Sequence, residues 1–208
     1  MSESLQKFWS INSLSSNLVH QRKPNIITLR KQSVFVCYSL GMSGTKLVVL
    51  RGPSGSGKTT VSKLLFEKAA DRVALIEQYH YRFIFKPAGG GSKLNSATIH
   101  KMITNDVLVA LEDGYNVILE GILGVKSYDK ILDEIFSKHS GENYIYYFDI
   151  SFDETVRRHA TRKSDFGVED MKEWYAAAHR SKHQLERIIS QSSTVEETVS
   201  RILSETGL

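Results

Sequence analysis

Short apolar runs alternate along the chain with longer segments in which apolar residues recur every three or four positions. The runs, which have the length and composition of buried parallel strands, are residues 46–50, 72–77, 116–121, 143–150 and 185–190. The segments that follow them have the spacing of amphipathic helices. This alternation predicts the order β-α-β-α-β-α-β-α-β-α, and therefore an α/β fold whose parallel sheet is covered by helices on both faces.

Polar residues and glycines mark where several of these helices begin and end. Asn95 or Ser96 can cap the second helix, which Gly114 is expected to end. Ser151 and Thr194 each open a capping box, in which a serine or threonine is followed three residues later by glutamate. These signals predict helices after the second, fourth and fifth strands.

Residues 168–187 are predicted to form one long helix. Such a helix would place His179 and His183 one turn apart on the same face, a spacing that can bind a metal. No other pair among the seven histidines has a metal-ligand spacing. His179 and His183 are expected to be ordinary surface residues.

The composition limits the class of protein. The chain is 41% apolar and 24% charged, as ordinary globular proteins are. It contains no apolar run of about 18 residues, so no membrane-spanning helix is predicted. Its single cysteine, Cys37, cannot form an internal disulfide, which is typical of a reducing compartment. A cytoplasmic protein without a membrane partner is expected.

The net charge of +4 belongs to the first 41 residues. They hold five basic side chains and one acidic, so residues 42–208 carry 22 of each sign. A neutral domain offers no general basic surface, and no nucleic-acid partner is expected. Residues 1–41 are predicted to be a flexible basic leader and residues 42–208 the folded domain. Three interpretations of the leader stay open, namely translation from Met42, a flexible tail and an organellar transit peptide.

Residues 52–59 match the pattern G-x-x-x-x-G-K-[ST] of a phosphate-binding loop. A predicted strand precedes the loop and a predicted helix follows it, which is the context that the pattern requires. In such a loop the backbone N–H groups surround phosphate oxygens, the lysine reaches the β- and γ-phosphates, and the last hydroxyl binds Mg²⁺. The residues expected to bind the nucleotide are Gly52, Pro53, Ser54, Gly55, Ser56, Gly57, Lys58, Thr59 and Thr60.

Two glutamates lie at the ends of predicted strands. Glu120 ends the third strand, where it can join Thr59 in holding Mg²⁺ or accept a substrate proton. Glu77 ends the second strand, and the aromatic and basic segment after it lies where α/β folds bind ligands. Tyr79 and Arg82 of this segment are candidate substrate contacts. The alternation of aromatic residues there also fits a segment packed on the core.

Two arginines four residues apart follow the fourth strand. Arg158 and Arg162 share one face of the helix that Ser151 opens, just before the loop of residues 164–167. Their planar guanidinium groups suit a small helical lid that closes over a triphosphate and neutralises charge in the transition state. A solvated basic helix face is the alternative interpretation.

On these motifs the chain resembles the small P-loop kinases, which include nucleoside, shikimate, gluconate and zeta-toxin-type kinases. The resemblance covers about residues 45–206 and rests on the glycine loop, Glu120 and the lid pattern Arg158-His-Ala-Thr-Arg162. It implies a three-layer P-loop fold with a five-stranded parallel sheet in the order 2-3-1-4-5. It also implies ATP with Mg²⁺ and a small acceptor hydroxyl.

One stretch departs from the pattern of these kinases. Many of them carry an aspartate just after the second strand, which acts as the base or holds the acceptor. Here the stretch is Glu77-Gln78-Tyr79-His80. Either Glu77 takes that role, or the usual acidic position is Tyr79 and the base lies elsewhere.

The sequence therefore predicts an ATP-dependent phosphotransferase that transfers the γ-phosphoryl group to a hydroxyl of a small molecule. Its predicted catalytic residues are Lys58, Glu77, Glu120, Arg158 and Arg162. The alternative is a nucleotide-binding regulatory ATPase without a small-molecule acceptor. Burial of residues 79–85 in the core would favour that alternative, because such a protein needs no acceptor pocket.

Overall fold

The structure is a computed structural model that describes residues 44–82, 84, 95–161 and 167–208. The described elements, in chain order, are β1 (Lys46–Arg51), α1 (Lys58–Lys68), β2 (Val73–Glu77), a 3₁₀ helix (Gln78–Arg82), α2 (Ser96–Glu112), β3 (Asn116–Gly121), α3 (Val125–Lys138), β4 (Glu142–Asp149), α4 (Phe152–His159), α5 (Val168–Ala177), β5 (Glu186–Ser190) and α6 (Val195–Thr206). None of these helices has the length and the apolar composition needed to cross a membrane. The leader, residues 1–41, lies outside the described residues.

All five strands pair in parallel, in the order β2-β3-β1-β4-β5. The predicted α/β class and sheet order are therefore confirmed. One face of the sheet packs against α2 and α3, and the other against α1 and α6. Because successive side chains of a strand point to opposite faces, a strand covered on both sides is apolar throughout, which explains the continuous runs in the sequence.

The central strand β1 has the most completely buried side chains. Leu47 and Val49 face the α2 and α3 layer, whereas Val48 and Leu50 face the α1 and α6 layer, and all four are fully buried. This two-sided packing fixes the end of β1, where the glycine loop begins.

Three of the predicted helix caps are present. The side chain of Asn95, not that of Ser96, caps α2 by accepting a hydrogen bond from a backbone N–H two residues on. Thr194 and Glu197 form both halves of the predicted capping box of α6. Ser151 caps α4.

The helix predicted over residues 168–187 is wrong in length, because α5 ends at Ala177 and residues 178–185 are irregular. His179 and His183 therefore do not share a helix face, and the expected spacing of one turn is not formed. Within the described ranges, no group of three or more histidine, cysteine, aspartate or glutamate side chains could hold a metal ion.

Contacts with Arg51, the last residue of β1, explain the course of this irregular segment. Arg51 is fully buried, and its Nη1 lies 3.0 Å from Asp129 Oδ1 and 3.7 Å from Glu186 Oε2. Its Nη2 donates a hydrogen bond of 3.4 Å to the carbonyl oxygen of His179. A buried charge requires such partners, and the backbone beyond α5 supplies one of them instead of continuing as a helix.

The burial of Arg51 predicts a large loss of stability when its charge is removed. Arg51→Met leaves the carboxylate of Glu186, whose side chain is 2% exposed, without its buried cation. We expect the free energy of unfolding, measured by urea titration, to fall by about 3–5 kcal/mol. The control is Lys138→Met, because the ion pair of Lys138 with Glu134 is half-exposed. That change should cost about 0–1 kcal/mol, and equally small losses in both variants would contradict the prediction.

Candidate functional site

The loop between β1 and α1 has a conformation that only glycine adopts easily. Gly52 has φ +143°, and a Cβ atom there would lie 2.9 Å from the carbonyl oxygen of Phe148. Gly57 is in the left-handed region with φ +100° and precedes α1 without a side-chain cap. The N-terminus of α1 therefore opens onto the loop, as it does in sites that bind phosphate.

Lys58 lies inside this loop. It is 6% exposed, and its Nζ donates hydrogen bonds of 2.7 Å to the carbonyl oxygen of Pro53 and 3.1 Å to Ser56 Oγ. These bonds hold the ammonium group among the backbone atoms of the loop. The ammonium group is thus placed beside the position predicted for the phosphate oxygens.

Glu120 and Thr59 meet beside the lysine. Thr59 Oγ1 donates a 3.0 Å hydrogen bond to Glu120 Oε1, and Glu120 is 4% exposed. Burial raises the pKa of the Glu120 carboxyl, while the charge of Lys58 and the hydrogen bond from Thr59 act to lower it. A hydroxyl and a carboxylate are hard oxygen ligands, and Mg²⁺ commonly takes one or two of these from protein together with water and phosphate oxygens. The pair therefore fits a magnesium site.

Glu77 is the direct neighbour of Glu120 across β2 and β3. Its side chain is 10% exposed, with Oε1 4.0 Å from Lys63 Nζ and Oε2 3.2 Å from His80 Nδ1. The charge of Glu77 also raises the pKa of Glu120, because two carboxylates so close together disfavour each other's ionisation. The two strand-end glutamates predicted from sequence are thus brought together.

Sequence reasoning did not connect Lys63 or His80 with Glu77. The signal for His80 was its position three residues after Glu77, the last residue of β2. Lys63 follows Thr59 by one helical turn, which places both side chains on the same face of α1. Neither spacing identifies a site until the strands are placed.

Gln78, the residue after Glu77, makes hydrogen bonds that have a structural role. Its side-chain oxygen accepts hydrogen bonds from the backbone N–H of Ile122 at 2.9 Å and of Leu123 at 3.3 Å. Its amide nitrogen donates to the hydroxyl of Tyr128 at 2.8 Å. Gln78 therefore ties the 3₁₀ helix to the loop that follows β3.

The aromatic segment after β2 combines the two interpretations left open by its sequence. Tyr81 is 7% exposed and donates a 2.6 Å hydrogen bond to Asp106, so it packs on the core. Tyr79 and Ile84 are 48% and 54% exposed. The backbone of Arg82 belongs to the 3₁₀ helix, and its side chain lies outside the described residues. The segment is therefore only partly buried.

Arg158 connects α4 to the glycine loop. Its Nη1 donates a 3.1 Å hydrogen bond to the carbonyl oxygen of Ser56, and its Nε donates to Glu154 at 2.7 Å. Arg157 binds the same carboxylate through two bonds but is 72% exposed. Hydrogen bonds from Arg157 and Arg158 lower the pKa of Glu154 to about 2. α4 ends at His159, so the prediction that this helix also carries Arg162 is wrong, and Arg162 itself lies outside the described residues.

A small cleft opens beside Arg158, and its lining includes Gly57, Phe148, Ile189 and Val195. Apolar side chains beside a planar guanidinium suit a flat aromatic ring. This cleft was not predicted from sequence, because its walls come from β4, β5 and α6 and share no motif.

Several solved kinases share this fold. A sugar kinase from a Janibacter species is 17% identical, with a TM-score of 0.60 over 77% of this chain and 93% of the kinase. The APS kinase of Mycobacterium tuberculosis in complex with AMPPNP and APS is 16% identical, with a TM-score of 0.58 over 78% and 97%. A gluconokinase from Sinorhizobium meliloti is 16% identical, with a TM-score of 0.57 over 79% and 91%. At these identities the likeness shows the fold alone.

No curated protein matches the chain. The profile of one family, described as an AAA domain, matches residues 47–191. The match runs from β1 through β5 and includes the glycine loop, both strand-end glutamates and Arg158. The chain therefore belongs to this AAA domain family, and its fold is that of the small P-loop kinases, as the resemblance in its sequence predicts.

Proposed function

We propose that this chain is an ATP-dependent phosphotransferase that transfers the γ-phosphoryl group to a hydroxyl of a small molecule. The observation that carries the proposal is the meeting of Lys58, Thr59 and Glu120 with a second buried carboxylate, Glu77. A phosphate loop alone serves any nucleotide-binding protein, whereas a second carboxylate beside it gives an acceptor a place to bind. The structural neighbours named as sugar kinase, APS kinase and gluconokinase are consistent with a small acceptor.

Phosphoryl transfer requires positioning and charge neutralisation more than covalent chemistry. Lys58 and the loop N–H groups orient the phosphates, and Thr59 with Glu120 holds Mg²⁺. The bound ion supplies positive charge to the phosphate oxygens. Arg158 and Arg162 contribute the positive charge of the lid. No residue of this set needs to form a covalent bond to the substrate.

The cleft beside Arg158 supports one direction for the nucleotide. With the base in this cleft, the phosphates would extend over the glycine loop towards Glu120. The acceptor then approaches from the β2 side, where Tyr79 and Arg82 of the 3₁₀ helix are candidate contacts.

A regulatory ATPase would not need this acceptor side. Full burial of residues 79–85 was the feature expected of that alternative. Tyr79 and Ile84 are about half-exposed, and this exposure favours the phosphotransferase.

The proposal predicts ADP release that depends on an added acceptor. We would measure ADP formed from Mg·ATP with a panel of nucleosides, sugars, amino alcohols and antibiotics. At least one compound should raise the rate well above that with water alone. Uniformly slow release, whatever compound is added, would instead favour the regulatory ATPase.

Lys58→Ala is expected to abolish that turnover. Removing one donor that stabilises developing charge commonly costs about 100- to 1,000-fold in kcat. Lys68→Ala, in the exposed last turn of the same helix, is the matched control and should keep full activity. Circular dichroism would establish that both variants are folded. Undiminished turnover by folded Lys58→Ala would contradict the mechanism.

Glu120→Gln is expected to weaken the use of Mg²⁺. The amide keeps the size of the side chain and loses its charge, so the Mg²⁺ concentration for half-maximal rate should rise by about 10- to 100-fold. Glu142→Gln is the control, because Glu142 is an exposed residue at the start of β4, whereas Glu120 lies near the end of β3. This substitution should leave that concentration unchanged. EDTA should stop turnover of the unchanged protein. An identical Mg²⁺ requirement in Glu120→Gln would remove Glu120 from the metal site.

Arg158 and Arg157 provide a matched pair for testing the nucleotide cleft. Both bind Glu154, but Arg158 alone of the two donates to the loop at Ser56. We expect Arg158→Ala to raise the KM for ATP by about tenfold, which corresponds to one charge-assisted hydrogen bond. Arg157→Ala should leave that KM within about twofold. Equal effects of the two substitutions would show that Arg158 has no contact with the nucleotide.

A further inference from the structure

In the proposed reaction, the two edges of the sheet lie beside different substrates, the nucleotide and the acceptor. The cleft that suits a nucleotide base lies beside β4 and β5, whereas β2 is the strand at the opposite edge. The glycine loop follows β1, between these two ends. Groups at the end of β2 are therefore the ones that an acceptor meets, and the chemistry of those groups indicates which acceptor fits.

The group at the end of β2 is a contact between the side chains of Glu77 and His80. The two side chains differ strongly in exposure, since that of Glu77 is 10% exposed and that of His80 is 67% exposed. The carboxylate of Glu77 lies behind the imidazole, with Oε2 3.2 Å from Nδ1 and Oε1 turned to Lys63. An incoming acceptor would reach the histidine more easily than the glutamate.

The carboxylate determines which nitrogen of the ring is basic. An ionised carboxylate only accepts hydrogen bonds, so Nδ1 must carry the proton that it donates to Glu77. In the neutral ring, Nε2 then holds the lone pair. Among the described residues, Nε2 has no hydrogen-bond partner. The ring is thus oriented with its basic nitrogen directed away from Glu77.

This pair adjoins the phosphate site directly. Glu77 is the register partner of Glu120, which accepts the hydroxyl of Thr59. The titratable groups described beside His80 are Glu77 itself and, through that carboxylate, Lys63 and Glu120. Thr59, Glu120, Glu77 and His80 therefore follow one another from the phosphate loop to the β2 side, where the acceptor is expected.

We propose that His80 is the general base of the reaction and that Glu77 is the positioning residue that orients it. This inference rests on the proposed phosphotransferase function and adds to it the residue that takes the acceptor's proton. It also places the base within the stretch Glu77-Gln78-Tyr79-His80, where the chain departs from the kinases that it resembles.

In the proposed transfer step, the acceptor oxygen forms a bond to the γ-phosphorus. The bond between that phosphorus and the bridging oxygen breaks, and its electrons leave on ADP. His80 Nε2 takes the proton of the acceptor hydroxyl and later releases it to water. Glu77 stays ionised throughout and stabilises the imidazolium.

A general base also defines the acceptor class. A neutral alcohol keeps its proton at neutral pH and benefits from a base in the transition state. The oxygens of a phosphate group are already ionised and do not. The acceptor is accordingly a small molecule with a neutral hydroxyl, and not a nucleoside monophosphate.

The test compares His80→Gln with the unchanged full chain, using Mg·ATP with water as acceptor and then with the best compound of the panel. We expect kcat to fall by about 100- to 10,000-fold, while the dissociation constant for ATP stays within about twofold. His80→Ala should regain part of its rate with added imidazole.

His183→Gln is the matched control. Its ring lies 3.6 Å from the carboxylate of Asp133, on the α3 side of the molecule, so it is also a histidine beside an acid. It should keep the rate of the unchanged protein. Any decrease comparable to that of His80→Gln would show a general effect of histidine loss and would overturn the inference.

Substitutions of Glu77 separate the two roles. Glu77→Gln should lower kcat less than His80→Gln does, because His80 remains, and Glu77→Asp should retain more activity since it keeps the charge. If Glu77→Gln loses more kcat than His80→Gln and added imidazole does not restore His80→Ala, the base is Glu77 and the inference is wrong. His80→Gln within about twofold of the unchanged rate also overturns it. Absence of turnover by the unchanged protein on every acceptor, water included, would instead remove the phosphotransferase function and the inference with it.

Discussion

The register of the parallel strands β2, β3 and β1 determines which side chains meet at the phosphate loop. Glu120 lies between Leu50 of β1 and Glu77 of β2, so all three point to the face covered by α1, whose first turn contains Thr59. Because side chains alternate along a strand, a shift of one residue would turn a carboxylate towards α2 and α3. The apolar packing that fixes this register therefore holds the lysine, the hydroxyl and both carboxylates in place.

The two faces of the sheet each carry one buried cation near the end of β1. On the α1 face, Lys58 opposes the carboxylate of Glu120, and on the other face Arg51 opposes Asp129 and Glu186. Burial raises the pKa of both Glu120 and Glu186, so each cluster keeps its charges only through its cation and its hydrogen bonds. Such clusters constrain geometry more than they add stability. Here they fix both sides of the strand from which the loop begins.

The sequence predicted those features that are determined by residues close together in the chain. The strand, the glycine loop and the helix after it are contiguous, so their spacing was sufficient, and the resemblance supplied the order of the strands. The end of α5 at Ala177 could not be found in this way, because the contacts from Tyr147 and Arg51 that hold the following segment come from 31 and 128 residues away. For the same reason, Glu77 and Glu120 were recognised as strand ends but not as neighbours.

The stretch that departs from the kinase pattern has a physical explanation in the contacts of Gln78. Its side chain holds the backbone N–H groups that follow β3, and Gly121 leaves it room, since a Cβ atom there would lie 2.6 Å from Gln78 Cβ. This contact fixes the first turn of the 3₁₀ helix against β3. The turn that follows Glu77, the last residue of β2, brings the ring of His80 to 3.2 Å from its carboxylate. Tyr79 is half-exposed and carries no carboxylate, so the proposed reaction relies on a carboxylate before it and a histidine after it.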